Sequence, residues 1–259
     1  MLRESVDGSG GGQKMDSGYY AALTGLVART QAMDTVAANL ANAQTPGYRA
    51  EREYFRSALM GPDAADSQLG QVVNNYGLLG GSALNLQQGS LIATGNPLDI
   101  AIDGRGFFAI QTQNGVRYTR DGSFHRTGDG HLVTKAGDVV LDTQGKPIVI
   151  PPGEVSIGES GIISVAGGAV TNLAVYDFSS AAQLKPDGAN LYAATEPNAA
   201  KAINTPSIHQ GNLEGANEDI VQGSLDLLMM QRQAEMMQKA VTLFHADFNK
   251  FATEDLPRV

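Results

Sequence analysis

Apolar residues recur at alternating steps of three and four through the C-terminal part of the chain, over residues 220–251. This spacing is that of an a/d heptad seam, and it predicts a helix whose apolar stripe packs against another helix. At about 1.5 Å per residue the helix is roughly 48 Å long. Without a partner it would be marginal, because backbone ordering opposes its formation. The seam consists of Ile220, Gly223, Leu227, Met230, Ala234, Met237, Val241, Phe244, Phe248 and Phe251.

A second seam with the same spacing lies near the N-terminus and predicts a helix over residues 20–41. This helix should end near Asn42, because Thr45-Pro46-Gly47 is a strong stop signal. The two seams can pair with each other in one chain, pack against neighbouring chains, or do both. The N-terminal seam consists of Leu23, Leu26, Thr30, Met33, Ala37 and Leu40.

The period changes to two between residues 84 and 177, where short apolar alternations are separated by turn-forming pairs. Asp-Gly and Asn-Gly between such alternations are typical of β-hairpins. Short, evenly spaced strands with no helical pattern between them predict an antiparallel barrel or sandwich. The turn pairs are Asp103-Gly104, Asn114-Gly115, Asp121-Gly122, Asp129-Gly130, Ala136-Gly137 and Gln144-Gly145.

These patterns predict an α+β fold with paired, coiled-coil-like terminal helices and a mainly antiparallel β barrel or sandwich between them. Residues 1–14 are Gly/Ser-rich, with no period and no apolar signal-peptide core, and we predict a disordered extension ahead of Met15. Residues 15–60 and 210–259 are predicted to form an inner helical domain, residues 84–209 an outer β-rich domain, and residues 61–83 a loop. Asn217 is the predicted N-cap of the C-terminal helix.

The composition excludes several classes of function. With 18 Lys+Arg against 27 Asp+Glu, the net charge of −9 argues against nucleic-acid binding, which needs basic surface. No apolar run approaches membrane-spanning length, so no membrane insertion is expected. The absence of cysteine excludes disulfides, thiolate metal sites and Cys nucleophiles.

No motif for catalysis, cofactor binding or metal binding stands out. The four histidines are not at metal-ligand spacings. Asp99 and Asp103 fall on one face of a predicted strand, but turn formation explains Asp103 better than acid/base chemistry does. We therefore predict no catalytic residues, no metal site and no cofactor.

Three separated stretches resemble the axial family of the bacterial flagellum, its rod and hook proteins. Ala38 and Ala216 depart from the family pattern, which usually has Asn and Ser there, and neither change removes a helix or a turn. The chain length and its ending resemble the proximal rod members most, and the distal rod members next. The stretches are residues 38–48 (ANLANAQTPGY), residues 96–108 (NPLDIAIDGRGFF) with 118–124 and 130–133, and residues 210–217 (QGNLEGAN).

The resemblance implies a structural protein that polymerises through its terminal helices into a torque-transmitting shaft around a central channel. It implies self-assembly, contacts with paralogous rod proteins, and export by the flagellar type III apparatus without a cleaved signal peptide. It places the protein in the periplasmic rod of the basal body, where it serves motility. The predicted assembly interface is Leu23, Leu26, Met33, Ala37, Asn39, Leu40, Asn42, Leu227, Met230, Met237, Val241, Phe244, Phe248 and Phe251.

Two hypotheses from other classes remain open at this point. A hydrolase of cell-wall glycan would use Asp99, Asp103 or Glu214 as carboxylates, although the sequence offers no obvious pair and no Trp. A binding module of the phage-tail or adhesin kind would be fully folded, with ordered ends.

Overall fold

The computed structural model describes residues 10–56 and 78–254, with side chains described for residues 23–54, 80–239 and 241–243. Helix α1 spans Gly10–Ala41 and helix α2 spans Ile220–Glu254. Both predicted helices are confirmed: α2 begins at Ile220, and α1 ends just before the Thr45-Pro46-Gly47 stop. Helix α1 begins at Gly10, inside the predicted extension. The rest of that extension and most of the predicted loop over residues 61–83 lie outside the described residues.

Eighteen short strands and one 3₁₀ helix, Ala181–Gln183, complete the described secondary structure. The strands are β1 (Glu51–Arg56), β2 (Leu78–Leu84), β3 (Leu91–Ala93), β4 (Ile100–Asp103), β5 (Phe107–Thr112), β6 (Gly115–Thr119), β7 (His125–Arg126), β8 (Leu132–Val133), β9 (Val139–Val140), β10 (Val155–Ile157), β11 (Ile162–Val165), β12 (Gly168–Asn172), β13 (Val175–Asp177), β14 (Leu184–Pro186), β15 (Tyr192–Ala194), β16 (Lys201–Ala202), β17 (Ser207–Gln210) and β18 (Asn212–Glu214).

The chain divides into two compact units. The first, which we call the helical unit, comprises Met1–Ala38, Arg52–Ser82 and Val221–Val259. The second, the β unit, comprises Asn39–Glu51 and Ala83–Ile220. The β unit thus includes residues 39–51 and 210–220, which the sequence analysis assigned to the inner helical domain.

The β unit is built from antiparallel sheets. The largest sheet has nine strands along the path β14-β15-β6-β5-β9-β8-β7, with β13 joining β5 to β16. Smaller sheets pair β10, β11 and β12, then β4 with β17, and β3 with β18. The α+β class is therefore confirmed, but in the part of the chain that the structure describes no sheet closes into a barrel. The strands are instead divided among separate sheets.

Strand β5 separates the two apolar cores of the β unit. Phe108 and Ile110 belong to one core, and Phe107 and Ala109 belong to the other. Because successive residues of a strand face opposite sides, this run of four apolar residues is buried on both faces. The ring of Phe107 meets the rings of Phe178 and Tyr192 edge to face, with centroids 5.7 Å apart in each case.

Four of the six predicted turn pairs join strands or bridges that pair with each other. Gly115, Gly130, Gly137 and Gly145 sit there with φ between 73° and 96°. The hairpin prediction is wrong for Asp103-Gly104 and Asp121-Gly122. Strand β4 pairs with β17 instead of its neighbour β5. A Cβ at Gly122 would lie 1.7 Å from the carbonyl oxygen of Ile100, so glycine allows a close approach of two backbones there.

Each helix buries one face within the helical unit. On α1 the buried residues are Gly25, Ala28, Arg29 and Ala32, and on α2 Gly223 and Met237 are buried. Direct pairing of the two helices stays a prediction. Neither helix has, within the described residues, an apolar stretch that could cross a membrane.

Candidate functional site

Three charged side chains from distant segments meet inside the β unit. Arg49 follows α1, Arg120 directly follows β6, and Glu214 ends β18. Arg49 Nη2 donates to Glu214 Oε1 at 2.6 Å, and Arg120 Nη1 donates to Glu214 Oε2 at 2.9 Å. These side chains are at most 2% exposed. We call Arg49, Arg120 and Glu214 the ionic junction.

Local chain geometry brings these residues together. The backbone N–H of Gly47 donates to the carbonyl oxygen of Glu214 at 2.7 Å. Gly47 has φ +68°, and a Cβ there would lie 2.2 Å from the carbonyl carbon of Arg120. Only glycine therefore lets the segment after α1 lie against both partners. The turn after Arg120 is held by Asp121, whose Oδ1 accepts from the N–H and hydroxyl of Ser123.

Backbone groups supply most of the remaining hydrogen bonds of the ionic junction. Glu214 Oε1 also accepts from the N–H of Gly89 at 2.9 Å. Arg120 donates to the carbonyl oxygens of Ile102 at 3.3 Å and Gly104 at 2.6 Å. Its guanidinium also lies 5.3 Å from the centre of the Phe107 ring, a cation–π contact.

One carboxylate faces two guanidinium groups in this buried site. Burial lowers the pKa of Arg120 to about 10; attraction to Glu214 opposes the shift and repulsion from Arg49 adds to it. Arg120 is thus still protonated at neutral pH. Among the described residues, Nε and Nη1 of Arg49 and Nε of Arg120 have no hydrogen-bond partner. Removing one partner of a buried ion pair destabilises the fold strongly, because the other charge stays buried without compensation. The ion pairs therefore hold the segments of Arg49 and Arg120 against the segment of Glu214.

Two asparagines reinforce the segment that carries Arg49. Asn39 Nδ2 donates to the carbonyl oxygen of Glu51 at 2.7 Å, and Asn39 Oδ1 accepts from the Glu51 N–H at 3.0 Å. Asn217 Oδ1 accepts from the N–H of Ala50 at 2.7 Å, while its Nδ2 donates to the carbonyl oxygens of Asn85 and Gln87. The predicted N-cap role of Asn217 is therefore wrong. Its side chain is used within the β unit, and α2 begins three residues later.

Tyr192 and Tyr48 complete the surroundings of this segment. The hydroxyl oxygen of Tyr192 accepts from the N–H of Arg49 at 3.2 Å, and burial raises the pKa of Tyr192. The hydroxyl of Tyr48 donates to Asn39 Oδ1 at 3.1 Å, and its pKa is also raised, chiefly by burial. Both phenols are therefore neutral donors or acceptors at physiological pH. The site holds three chain segments together, with its three charged side chains almost completely buried.

The structure distributes the predicted interface residues over different environments. Asn39 and Met237 are buried; Leu26, Met33, Leu40, Asn42, Leu227, Met230 and Val241 are half-buried; Leu23 and Ala37 are exposed. The side chains of Phe244, Phe248 and Phe251 lie outside the described ones. Of this set, the structure brings Asn39 into the surroundings of the ionic junction.

The N-terminal seam does not coincide with the buried face of α1. The buried line of Gly25, Ala28, Arg29 and Ala32 is rotated by about 120° around the helix from the seam, at 3.6 residues per turn. Small residues let another backbone approach closely, whereas the larger seam residues flank that contact. On α2 the seam does coincide with the buried face, which includes Gly223 and Met237.

The carboxylates suggested for glycan hydrolysis do not form an acid/base pair at an open cleft. Glu214 is sealed between two arginines, and Asp99 is buried and accepts from Asn96 Nδ2 at 2.9 Å. Asp103 is half exposed and faces His209 Nε2 at 3.5 Å. Among the described residues no cluster of three metal-binding side chains occurs.

Sequence reasoning missed the roles of Arg49 and Arg120. Arg49 directly follows one of the motif stretches, and Arg120 lies within another, which was an available signal. The partner of each is remote, because Arg49 and Glu214 are 165 positions apart. No local pattern identifies such a pair.

Comparison with known proteins matches two family models. Residues 101–165 match the flagellar hook protein FlgE/F/G D1 domain, and residues 20–49 match the flagella basal body rod protein model. The flagellar basal-body rod protein FlgF of Caulobacter vibrioides is 34% identical over 247 residues, covering 95% of this chain and 100% of that protein. This chain belongs to the flagellar basal-body rod protein family.

Other rod proteins have similar identity to this chain. The rod protein FlgG of Agrobacterium fabrum is 34% identical, over 85% of this chain and 92% of its own. The rod protein FlgF of Rhizobium meliloti is 34% identical, over 84% of this chain and 89% of its own. The family recognised from three sequence stretches is therefore confirmed. Two residues of the ionic junction lie in those stretches, Arg120 in residues 118–124 and Glu214 in residues 210–217. Arg49 directly follows the stretch of residues 38–48.

Proposed function

We propose that this chain is a structural subunit of the flagellar basal-body rod, polymerising through its terminal helices into the torque-transmitting shaft. The observation that carries the proposal is the identity of 34% to a rod protein along its whole length. The match covers 95% of this chain and 100% of that rod protein.

The ionic junction suits a torque-bearing subunit. A shaft subunit must resist shear where its chain passes from helix to sheet. Residues 39–51 and 214–217, which adjoin α1 and α2 in sequence, are held by buried charge pairs and by Asn39 and Asn217. These buried hydrogen bonds and ion pairs do not depend on long exposed side chains. We therefore expect them to deform little when torque is applied to the subunit.

Within the rod we assign the chain to the proximal part, with the distal rod as the alternative. Its partners would be further copies of itself and paralogous rod proteins, and the flagellar type III apparatus would export it without cleaving a signal peptide. The helical unit would form the inner, channel-lining layer, and the β unit the outer layer in the periplasm.

We also propose that the protein is not an enzyme. Glu214 is the most protected carboxylate of the three considered, and its two arginines leave it no access to a glycan. The binding-module hypothesis is not supported by the family to which the chain belongs.

The test is substitution of the buried face of α2. We expect Met237→Asp to abolish incorporation into isolated basal bodies, because Met237 is 2% exposed and a buried carboxylate disrupts the helical unit. The β unit should stay folded, as measured by the near-ultraviolet circular dichroism of its buried tyrosines. The matched control is Gln238→Asp, at the exposed neighbouring position. Normal incorporation of Met237→Asp would refute assembly through the helices.

A further inference from the structure

Helix α2 carries a second apolar stripe, which is exposed. Six large apolar side chains along it are between 51% and 70% exposed. At 3.6 residues per turn they fall within about 100° of arc, on the side nearly opposite the buried seam, and they run for about 33 Å. Exposed apolar side chains aligned along one helix face mark an interaction site rather than scattered surface residues, even where charged residues lie among them. We call these residues, Val221, Leu225, Leu228, Met229, Met236 and Leu243, the outer stripe.

Helix α1 has an exposed face of complementary character. Leu23, Val27, Asp34, Ala37 and Ala38 are all exposed, and they fall within about 100° of arc, opposite the buried line of Gly25, Ala28, Arg29 and Ala32. The two alanines leave room for larger side chains of a partner. We call these five exposed residues the α1 outer face.

The charges on the two surfaces are also complementary. Arg232 and Lys239 are exposed and lie within the arc of the outer stripe, whereas Asp34 lies within the arc of the α1 outer face. A basic surface of large apolar residues and an acidic surface that combines Leu23 and Val27 with two alanines thus occur on the same chain. Both surfaces are exposed to solvent in a single copy, so neither apolar surface is buried within one chain.

We propose that the outer stripe of one copy docks on the α1 outer face of a second copy, with Asp34 facing Arg232 or Lys239. This inference rests on the proposed function and adds which faces of the helices meet between subunits. Because the two surfaces differ, the contact is head-to-tail and each added copy presents a fresh surface. Such contacts produce helical filaments when the rotation does not close. Met and Leu side chains suit a contact that repeats with small changes of angle.

Cysteine cross-linking tests the contact directly, because the native chain has no cysteine. Val27→Cys and one of Leu225→Cys, Leu228→Cys or Met236→Cys are expressed together, each in the full-length chain, and basal bodies are isolated and oxidised. We expect a disulfide-linked dimer for at least one pairing, several-fold above the control pairing of Val27→Cys with Gln238→Cys, because Gln238 is exposed but lies about 80° around the helix from the edge of the stripe.

Charge reversal gives an independent readout. Asp34→Lys alone and the pair Arg232→Asp with Lys239→Asp should each reduce incorporation into basal bodies. Combining all three should restore it, which a merely structural role of these exposed residues would not do.

Each failure has a distinct meaning. If the cysteine variants enter basal bodies but no pairing exceeds the control, the inference falls and the proposed function stands. A cross-link that forms within one doubly substituted chain in dilute monomer would show that α1 of the same copy covers the stripe, and would also overturn it. If the unmodified chain never enters basal bodies, the proposed function itself falls.

Discussion

Glu214 is the residue whose side chain joins the three segments of the β unit. Its two carboxylate oxygens pair with Arg49 and Arg120 separately, and its own carbonyl accepts from Gly47. A buried ion pair contributes little compared with an apolar replacement of equal fit, but removing one partner leaves the other charge buried and uncompensated. The ionic junction therefore fixes the relative position of the three chain segments, and removing one of its charges should destabilise the β unit strongly.

We expect Glu214→Gln to destabilise the β unit by about 3–5 kcal/mol, because two buried guanidinium groups would then lack a counter-charge. The measurement is urea unfolding of the full chain, followed by the circular dichroism of the buried tyrosines. Glu196→Gln, at an exposed position of the same unit, is the control and should change stability little. If Glu214→Gln and Glu196→Gln have the same free energy of unfolding, the ionic junction does not stabilise the placement of the three segments.

At the scale of elements, the hairpin of β11 and β12 has a turn that its sequence does not suit. Val165 pairs with Gly168, so Ala166 and Gly167 form a two-residue turn, with φ of 50° and 82°. Positive φ at both positions is the mark of a type I′ turn, which favours Asn-Gly. Alanine in the left-handed region has a steric cost on the order of 1–2 kcal/mol.

Ala166→Asn should therefore stabilise the β unit, by about 0.5–1 kcal/mol, since asparagine tolerates this conformation better than alanine. A thermal unfolding scan of the full chain measures it. The matched control is Ala136→Asn, at an exposed turn residue that has no positive φ and also precedes a glycine. A gain of the same size at both positions would contradict the conformational explanation.

At the scale of the whole molecule, the two compact units should differ in stability before assembly. The β unit has two apolar cores and a nine-stranded sheet, whereas each long helix of the helical unit exposes apolar or small residues on its outer side. An incompletely covered helix opens easily, because most helical stability comes from packing.

Amide hydrogen exchange of the purified monomer tests this difference. We expect slow exchange at β5 residues such as Phe108 and Ile110, and faster exchange along both helices. The helices should become protected once the chain is assembled in basal bodies. Strong and unchanged protection of both helices in the monomer would mean that their apolar faces are satisfied within one chain.

The sequence by itself determined the features that depend on local pattern. The seam of α2 includes the two residues that are buried in the described part of that helix, Gly223 and Met237, and Asn114-Gly115 ends the hairpin turn between β5 and β6. The hydrophobic period and the turn-forming residues act over a few positions, so they can be identified from the sequence before the fold is known. The family was recognisable for the same reason, since its motifs are contiguous.

Tertiary structure alone decided the features that join distant residues. Burial along α1 in the single chain is greatest at Gly25, Ala28, Arg29 and Ala32, whereas Leu26, Met33 and Leu40 of the N-terminal seam are half-buried; packing of that seam against another helix stays a prediction. Asn217 looked like a helix cap, yet its amide binds a segment more than a hundred residues away. The ionic junction needs three charges to be desolvated at once, and only the packed chain pairs them: the free energy of a buried charge depends on neighbours that no local pattern specifies.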